Sequence, residues 1–302
     1  MPETKPSTAK VVAAFASVYV IWGSTYLAIR YAIQTLPPLL MASSRFLIGG
    51  VLLYGWARWR GAKKPTRQGW KHASVLGFML MFCGNGAVVV AEKWVPSGLT
   101  AVLVATVSLW VVIFSWLRPG GRRPSAQVAF GIVMGLVGVT MLIGIGNLRG
   151  AGTVEPMGAV ILIFSTMSWA GGSIYAQKAH ISDSPLQTSG MQMMTGGIYL
   201  LVGGLLTGEA SRFNPSAVSA VSVFALAYLI FFGAIIAFTA YSWLLKATSP
   251  QRASTYAYVN PAVAVVLGWA IAGEALTPRM ILAMCIIVAA VMVITMAKRQ
   301  TS

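Results

Sequence analysis

Ten apolar runs of roughly 20 residues follow one another along the chain, and they constrain its fold more than any other feature. A helix needs about 20 residues to cross some 30 Å of hydrocarbon. Within lipid, only helices and closed barrels satisfy their own backbone groups. The runs predict an all-α integral membrane protein with ten transmembrane helices, at 10–30, 38–59, 70–93, 97–118, 124–145, 156–178, 186–208, 218–246, 251–272 and 278–297. Short connections rich in helix breakers separate them: LPPL, RGAKKPTRQG, RPGGRRPS, GNLRGAGTVEP, ISDSPL, RFNPS, KATSPQR and ALTPR. None is long enough to hold a separate domain. Composition agrees, with 57% hydrophobic and 9% charged residues among 302, far from the balance of a soluble domain. The opening MPETKPSTAK reads as a short tail before a retained first helix.

A formal net charge of +16 raises the question of nucleic acid. The placement of the charges answers it. Sixteen of the 22 Lys and Arg residues fall on one side of the predicted spans, among them Lys63, Lys64, Arg122, Arg123, Lys298 and Arg299, and five fall on the other: Arg30, Lys93, Arg149, Arg212 and Arg279. Arg45 lies within a span. This asymmetry is the positive-inside pattern of a multi-pass protein with both termini in the cytoplasm, and it calls for no nucleic acid.

Sliding the first half along by 147 positions brings Trp22 onto Trp169, Pro38 and Leu39 onto Pro185 and Leu186, and Gly49-Gly50 onto Gly196-Gly197. A shift of 153 brings Ser108 onto Pro261, Trp116 onto Trp269 and Gly120 onto Gly273. Each half, 10–145 and 156–297, then holds five spans, and an odd number sends the second copy in from the opposite face. Inverted repeats of this kind are a construction plan of secondary transporters.

The stretches WGSTYLAIRYA at 22–32, AEKWVPSGLTAVLVATVSLW at 91–110 and SPQRASTYAYVNPAVAVVLGWAIAGEALTP at 249–278 resemble the EamA family of the drug/metabolite transporter superfamily. Within it the chain is similar to YddG-type bacterial inner-membrane exporters. The resemblance implies two inverted five-helix repeats and export of amino acids or other small metabolites across a bacterial-type inner membrane. It departs from symmetry at one place: the second copy reads AGEALTP with Glu274, where the first reads PGGRRPS with Gly121.

Polar residues inside spans mark the candidate site. Arg45 sits about 10 Å below the outer end of its helix at 1.5 Å per residue, level with Asn85, while Glu92 marks the outer end of the third span. A charge in the bilayer costs at least ~2.5 to 3.5 kcal/mol on insertion scales, so a hydrated cavity with Glu92 or Asn85 as partner is one reading. There Arg45 would anchor a substrate carboxylate or form a gating ion pair, and snorkelling to the outer interface is the other reading. Gly84 and Gly86 around Asn85 suit either exposed backbone in a cavity or close helix packing. Tyr256, Tyr258, Asn260 and Pro261 share one helix, where proline frees a carbonyl and bends the axis beside a cavity wall. Trp22, Thr25 and Tyr26, with their relatives Trp169 and Ser173, are further lining candidates whose aromatic faces suit rings or ammonium groups, although core or lipid-facing packing suits any one of them. Trp110, Tyr241 and Trp243 are open in the same way. Gly131 and Gly135 read as a packing face within the chain, with a homodimer face as the alternative and a monomer equally compatible.

Several chemistries are excluded. Cys83, Cys285, His72 and His180 make no metal-ligand cluster, and no cofactor is implied. GIGNLRGAG lacks the strand of a dinucleotide fold, and no GxxxxGK[ST] loop is present. No nucleophile and base pair up, so an enzyme is not expected. The reading is a secondary transporter exporting small metabolites, amino acids including aromatic ones, by alternating access of a central cavity among membrane lipids. Glu92 is its gating or coupling candidate. A transporter or flippase for phosphorylated or lipid-linked substrates is the alternative, which several deep basic residues would favour.

Overall fold

The computed structural model describes residues 8–118, 123–143, 155–247 and 256–296. Among them the chain is helical with no strand. In order the helices are α1 (Thr8–Ala32), α2 (Pro38–Trp59), α3 (Arg67–Ala91), α4 (Ser97–Leu117), α5 (Ala126–Ile143), α6 (Pro156–Ala176), α7 (Pro185–Leu206), α8 (residues 220–247), α9 (Tyr256–Ala272) and α10 (Pro278–Met296). Proline opens α2, α6, α7 and α10, where its fixed φ suits a first turn and its missing N–H is no loss. Ser184 and Ser219 cap α7 and α8 by accepting from Gln187 N and Ser222 N.

By length and composition six of these, α1, α2, α3, α4, α6 and the first part of α8, are apolar enough to cross a membrane. Apolar helices at Ala126–Met141, Val259–Ala272 and Pro278–Ile294 are shorter; each adjoins residues outside the description. Helix α7 has the length, at 22 residues, but not the hydropathy. Thr195 and its glycines face neighbouring helices, because α7 is packed on α2 and α3. Elsewhere the apolar surface faces outward, with Trp59 82%, Phe224 75% and Trp269 60% exposed, as lipid contact requires.

Two apolar cores result. One joins α1, α2, α3, α7 and α8 around Phe46, Met191 and Leu229, and the other joins α3, α4, α6, α9 and α10 around Leu103, Leu162 and Ile287. The α2–α7 crossing is the most extensive contact. A Cβ on Gly50 would lie 2.8 Å from Met194 N, and one on Gly190 would lie 2.7 Å from Tyr54 N. Backbone meets backbone there, the usual use of small residues between membrane helices. Gly131 and Gly138 likewise seat α5 on α10, and Gly135 seats it on Leu109 of α4, so this glycine face is filled from within the chain.

Three helices depart from regular α geometry. Both α3 and α8 widen into π-turns in their middles, at Gly77–Gly86 and Leu229–Ile236. The widened turn loosens its own ladder and offers carbonyls to neighbours. In α3, Met79 O and Gly84 O accept from Ser168 Oγ and Ser165 Oγ of α6 at 2.9 and 2.8 Å. Helix α4 breaks between Val104 and Val107. There Thr106 Oγ1 donates to Leu103 O at 2.6 Å, and Thr106 N turns to the same carbonyl three residues back. A side-chain hydroxyl competing for backbone acceptors bends a helix in this manner.

Candidate functional site

Arg45 is the deepest cation among the described residues, 5% exposed in α2. It does not snorkel. Its guanidinium lies against the π-turn of α8, where a Cβ on Gly233 would come within 3.2 Å of Nη2 and 3.1 Å of Thr25 Cγ2. The guanidinium carbon stands 5.0 Å from the Phe46 ring centroid, within cation–π range. Its Nε has no hydrogen-bond partner. The absent side chain at 233 makes room for the cation, and the same residue's carbonyl accepts from Trp22 Nε1 at 3.2 Å.

Trp22 is the hub of an aromatic cluster: its ring lies 5.0 to 5.2 Å from those of Tyr256, Tyr241 and Phe238, and Tyr241 meets Tyr256 at 5.6 Å. Helices α1, α8 and α9 are thereby joined through rings. Asn260 is buried. With its amide oriented to satisfy its bonds, it donates to Tyr256 O at 3.1 Å and Tyr19 O at 3.3 Å. It thus ties α9 to α1 beside Pro261, which lies inside the helix. The side chain of Tyr258 lies outside the described residues.

Glu92 is the residue that closes the C-terminal end of α3. It is 5% exposed, and neither carboxylate oxygen has a hydrogen-bond partner. It lies within electrostatic reach of Arg45, Arg30, Glu274 and Tyr26. Among the described residues it makes no ion pair with Arg45, and the Asn85 amide does not bond the arginine, since it donates to Leu80 O of its own helix at 3.4 Å. A cavity of about 440 Å³ opens outward beside Glu92, lined also by Arg30, Gln34, Lys93 and Trp94.

Not every candidate joins this site. Thr25 turns its hydroxyl to Trp22 O and presents its methyl toward Gly233, so it borders the cation without a polar contact to it. Trp169 packs on Gly84 with its ring 2.8 Å from a Cβ there, and Ser173 bonds to Trp169 O at 2.8 Å. Trp169 belongs to the α3–α6 seam and Ser173 bonds within its own helix, both apart from the Arg45 cluster. Trp110 lies tilted against Phe114 of its own helix, and Trp243 is half-buried.

The residue that sequence reasoning placed least well is Glu274. Its carboxylate accepts from Ser97 N at 2.8 Å, Ser97 Oγ at 2.7 Å and Gly98 N at 3.0 Å, and it pairs with Arg30 Nη1 at 3.0 Å. It therefore satisfies the first N–H groups of α4 while holding the end of α1. Glu209 does the same for α2, accepting from Leu39 N at 2.9 Å and Leu40 N at 3.0 Å. Each follows a glycine with positive φ, Gly208 at 71° and Gly273 at 63°, in a repeated Gly-Glu-Ala. That recurring tripeptide was the available signal. Glu274→Ala leaves three donors and one arginine unanswered, so it is expected to destabilise the protein by about 2 to 4 kcal/mol. Glu209→Ala, with fewer partners and no cation, should cost less. Thermal unfolding of the two variants in detergent checks the order.

Among the described residues no group of His, Cys, Asp and Glu is placed to hold a metal. Comparison with known proteins bears on the same chain. The model of the EamA-like transporter family matches residues 9–144 and again 156–296. An uncharacterized inner membrane transporter of Escherichia coli strain K12, YedA, is 40% identical over 286 residues, covering 94% of this chain and 90% of its own. Protein PecM of Dickeya dadantii is 24% identical over 277 residues, covering 91% and 88%. A solved crystal structure aligns with a TM-score of 0.63 at 21% identity over 98% of this chain and all of its own, a likeness of fold alone.

Proposed function

The chain belongs to the EamA-like transporter family, and on that premise we propose that it is a secondary transporter of the bacterial inner membrane, not an enzyme. It exports small metabolites, amino acids including aromatic ones among them, by alternating access of a central cavity. Its ten helices form two inverted five-helix repeats, α1–α5 and α6–α10, with both termini cytoplasmic. Support for the repeat comes from corresponding positions: π-turns in the third helix of each half, and, in the fourth helices, the break at Thr106 and the interior Pro261. Trp22 on the α8 π-turn answers Trp169 on that of α3.

One observation carries the substrate reading. A buried arginine with an unpartnered nitrogen, flanked by a glycine and an aromatic cluster, is suited to a carboxylate bearing an apolar or aromatic side chain. The guanidinium fork matches a carboxylate's two oxygens, and Trp22, Tyr241 and Tyr256 offer ring faces. Tyr26 and Glu92 border the path outward, where Glu92 stands as gate between the outer cavity and Arg45. Asn260 gives α9 a contact to α1 beside the interior Pro261. Trp169, Ser173 and Asn85 support the corresponding seam of the second half. All these groups come from one chain, so the reading holds for a monomer or a homodimer alike.

The test is uptake of labelled phenylalanine, leucine and threonine into liposomes holding the purified protein, with and without an imposed proton gradient. Saturable uptake is the expected result, and its response to the gradient separates proton exchange from facilitated movement. Folded protein with no uptake above empty liposomes would redirect the reading to phosphorylated or lipid-linked substrates.

A further inference from the structure

A basic and an acidic side chain are buried near one another without meeting. Arg45 and Glu92 are each 5% exposed, they interact electrostatically, and yet the Nε of one and both carboxylate oxygens of the other lack any hydrogen bond. Their nitrogen and oxygen atoms stay more than 4.0 Å apart. Buried opposite charges normally close on each other, since leaving either one unanswered is costly. Held apart, each member keeps polar atoms that a bound molecule can answer.

The neighbouring acid cannot take that part. Glu274 already accepts four bonds, from Ser97, Gly98 and Arg30, so Glu92 is the acid near Arg45 with free acceptors. The hydroxyl-bearing Tyr26 lies within electrostatic reach of both members of the pair. Glu92 also lines an open cavity, which Arg45 does not reach.

We infer that Glu92 is the ammonium pole of the site: it accepts the amino group of a substrate whose carboxylate rests on Arg45, and it makes the site selective for α-amino acids over simple carboxylates and amines. This rests on the transporter reading above and deepens it. The charges of such a zwitterion cancel those of the pair, one for one. A lone carboxylate leaves Glu92 unanswered, a lone amine leaves Arg45 unanswered, and a phosphate dianion is repelled by Glu92. A site built to bond a group discriminates strongly against an analogue lacking it, because its own buried polar atom is then stranded.

The experiment takes whichever of phenylalanine, leucine and threonine is carried best, and measures inhibition of its uptake by its deaminated acid and its decarboxylated amine; for phenylalanine these are phenylpropionate and phenylethylamine. Wild type, Glu92→Gln and Glu92→Asp are compared in liposomes. In wild type the amino acid should bind at least about tenfold more tightly than either analogue, the effect of one charge-assisted bond. In Glu92→Gln the preference over the acid should collapse toward one while the preference over the amine stays, and Glu92→Asp should restore part of it. Should Glu92→Gln not transport, ligand-induced thermal shifts of the purified protein read the same ratios. An unchanged ratio in Glu92→Gln overturns the inference and leaves the transporter reading intact, whereas wild-type protein that carries no amino acid overturns both.

Discussion

Arg45→Gln is expected to lower the apparent affinity for transported amino acids by about 100-fold, the effect of removing a charged partner worth roughly 2 to 3 kcal/mol from a carboxylate. Arg45→Lys should recover only a small part, since a lysine is a point charge without the planar fork. The telling measurement is stability taken alongside uptake. Arg45 is buried, its Nε has no partner, and it makes no ion pair among the described residues. Such a cation costs free energy in the unliganded protein, and its removal relieves that cost. Thermal unfolding of Arg45→Gln in detergent should therefore match or exceed wild type while uptake fails. Phe46, 5.0 Å from the guanidinium carbon, is the main group to lose a favourable contact, which is worth about 0.5 to 2 kcal/mol and limits the gain. If stability falls in step with uptake, the arginine is a structural member of the α2–α8 contact and the carboxylate site must be sought elsewhere.

Much of this could be read from the sequence because a bilayer limits the choices. Apolar runs closed by LPPL, ISDSPL or ALTPR place helix ends within a few residues of those found, and the depth of Arg45 follows from counting along α2. Identifying its neighbour across the fold was another matter. Gly233 carries no pattern that marks it as the seat of a cation, since its role depends on α8 being widened at the crossing with α1 and α2. The break in α4 was invisible for a related reason: it arises from a threonine hydroxyl that takes over a carbonyl, with no proline to announce it. Trp22 and Trp169, related by one offset, part company in the structure because one meets rings of α8 and α9 and the other meets the Gly84 edge of α3. Periodicity and offsets locate residues along a helix; their partners are decided by how the helices cross.

That dependence on crossings makes the α2–α7 contact the place where a small change should have the largest structural effect. A Cβ at Gly190 falls 2.7 Å from Tyr54 N, 3.0 Å from Tyr54 Cα and 3.0 Å from Gly50 O, all backbone atoms that no rotamer change can move. Gly190→Val adds two methyl groups beyond that Cβ, so the helices must separate. Overpacking typically costs about 1 to 3 kcal/mol, and separation would also strain the Ser43 Oγ to Gly197 O bond of 2.9 Å between the same helices. Because Arg45 rides on α2, a shift of that helix also moves the cation away from Gly233. Gly190→Val is therefore expected to abolish uptake and to replace the single size-exclusion peak of the detergent-solubilised protein with aggregate. Gly55→Ala supplies the contrast: on the same helix α2, a Cβ there meets nothing within 4 Å, and alanine is about 1 kcal/mol the better helix former. It should fold and transport as wild type does. Were Gly190→Val equally well behaved, α2 and α7 would not be held backbone to backbone, and the position of Arg45 would have to be set by α1 and α8 alone.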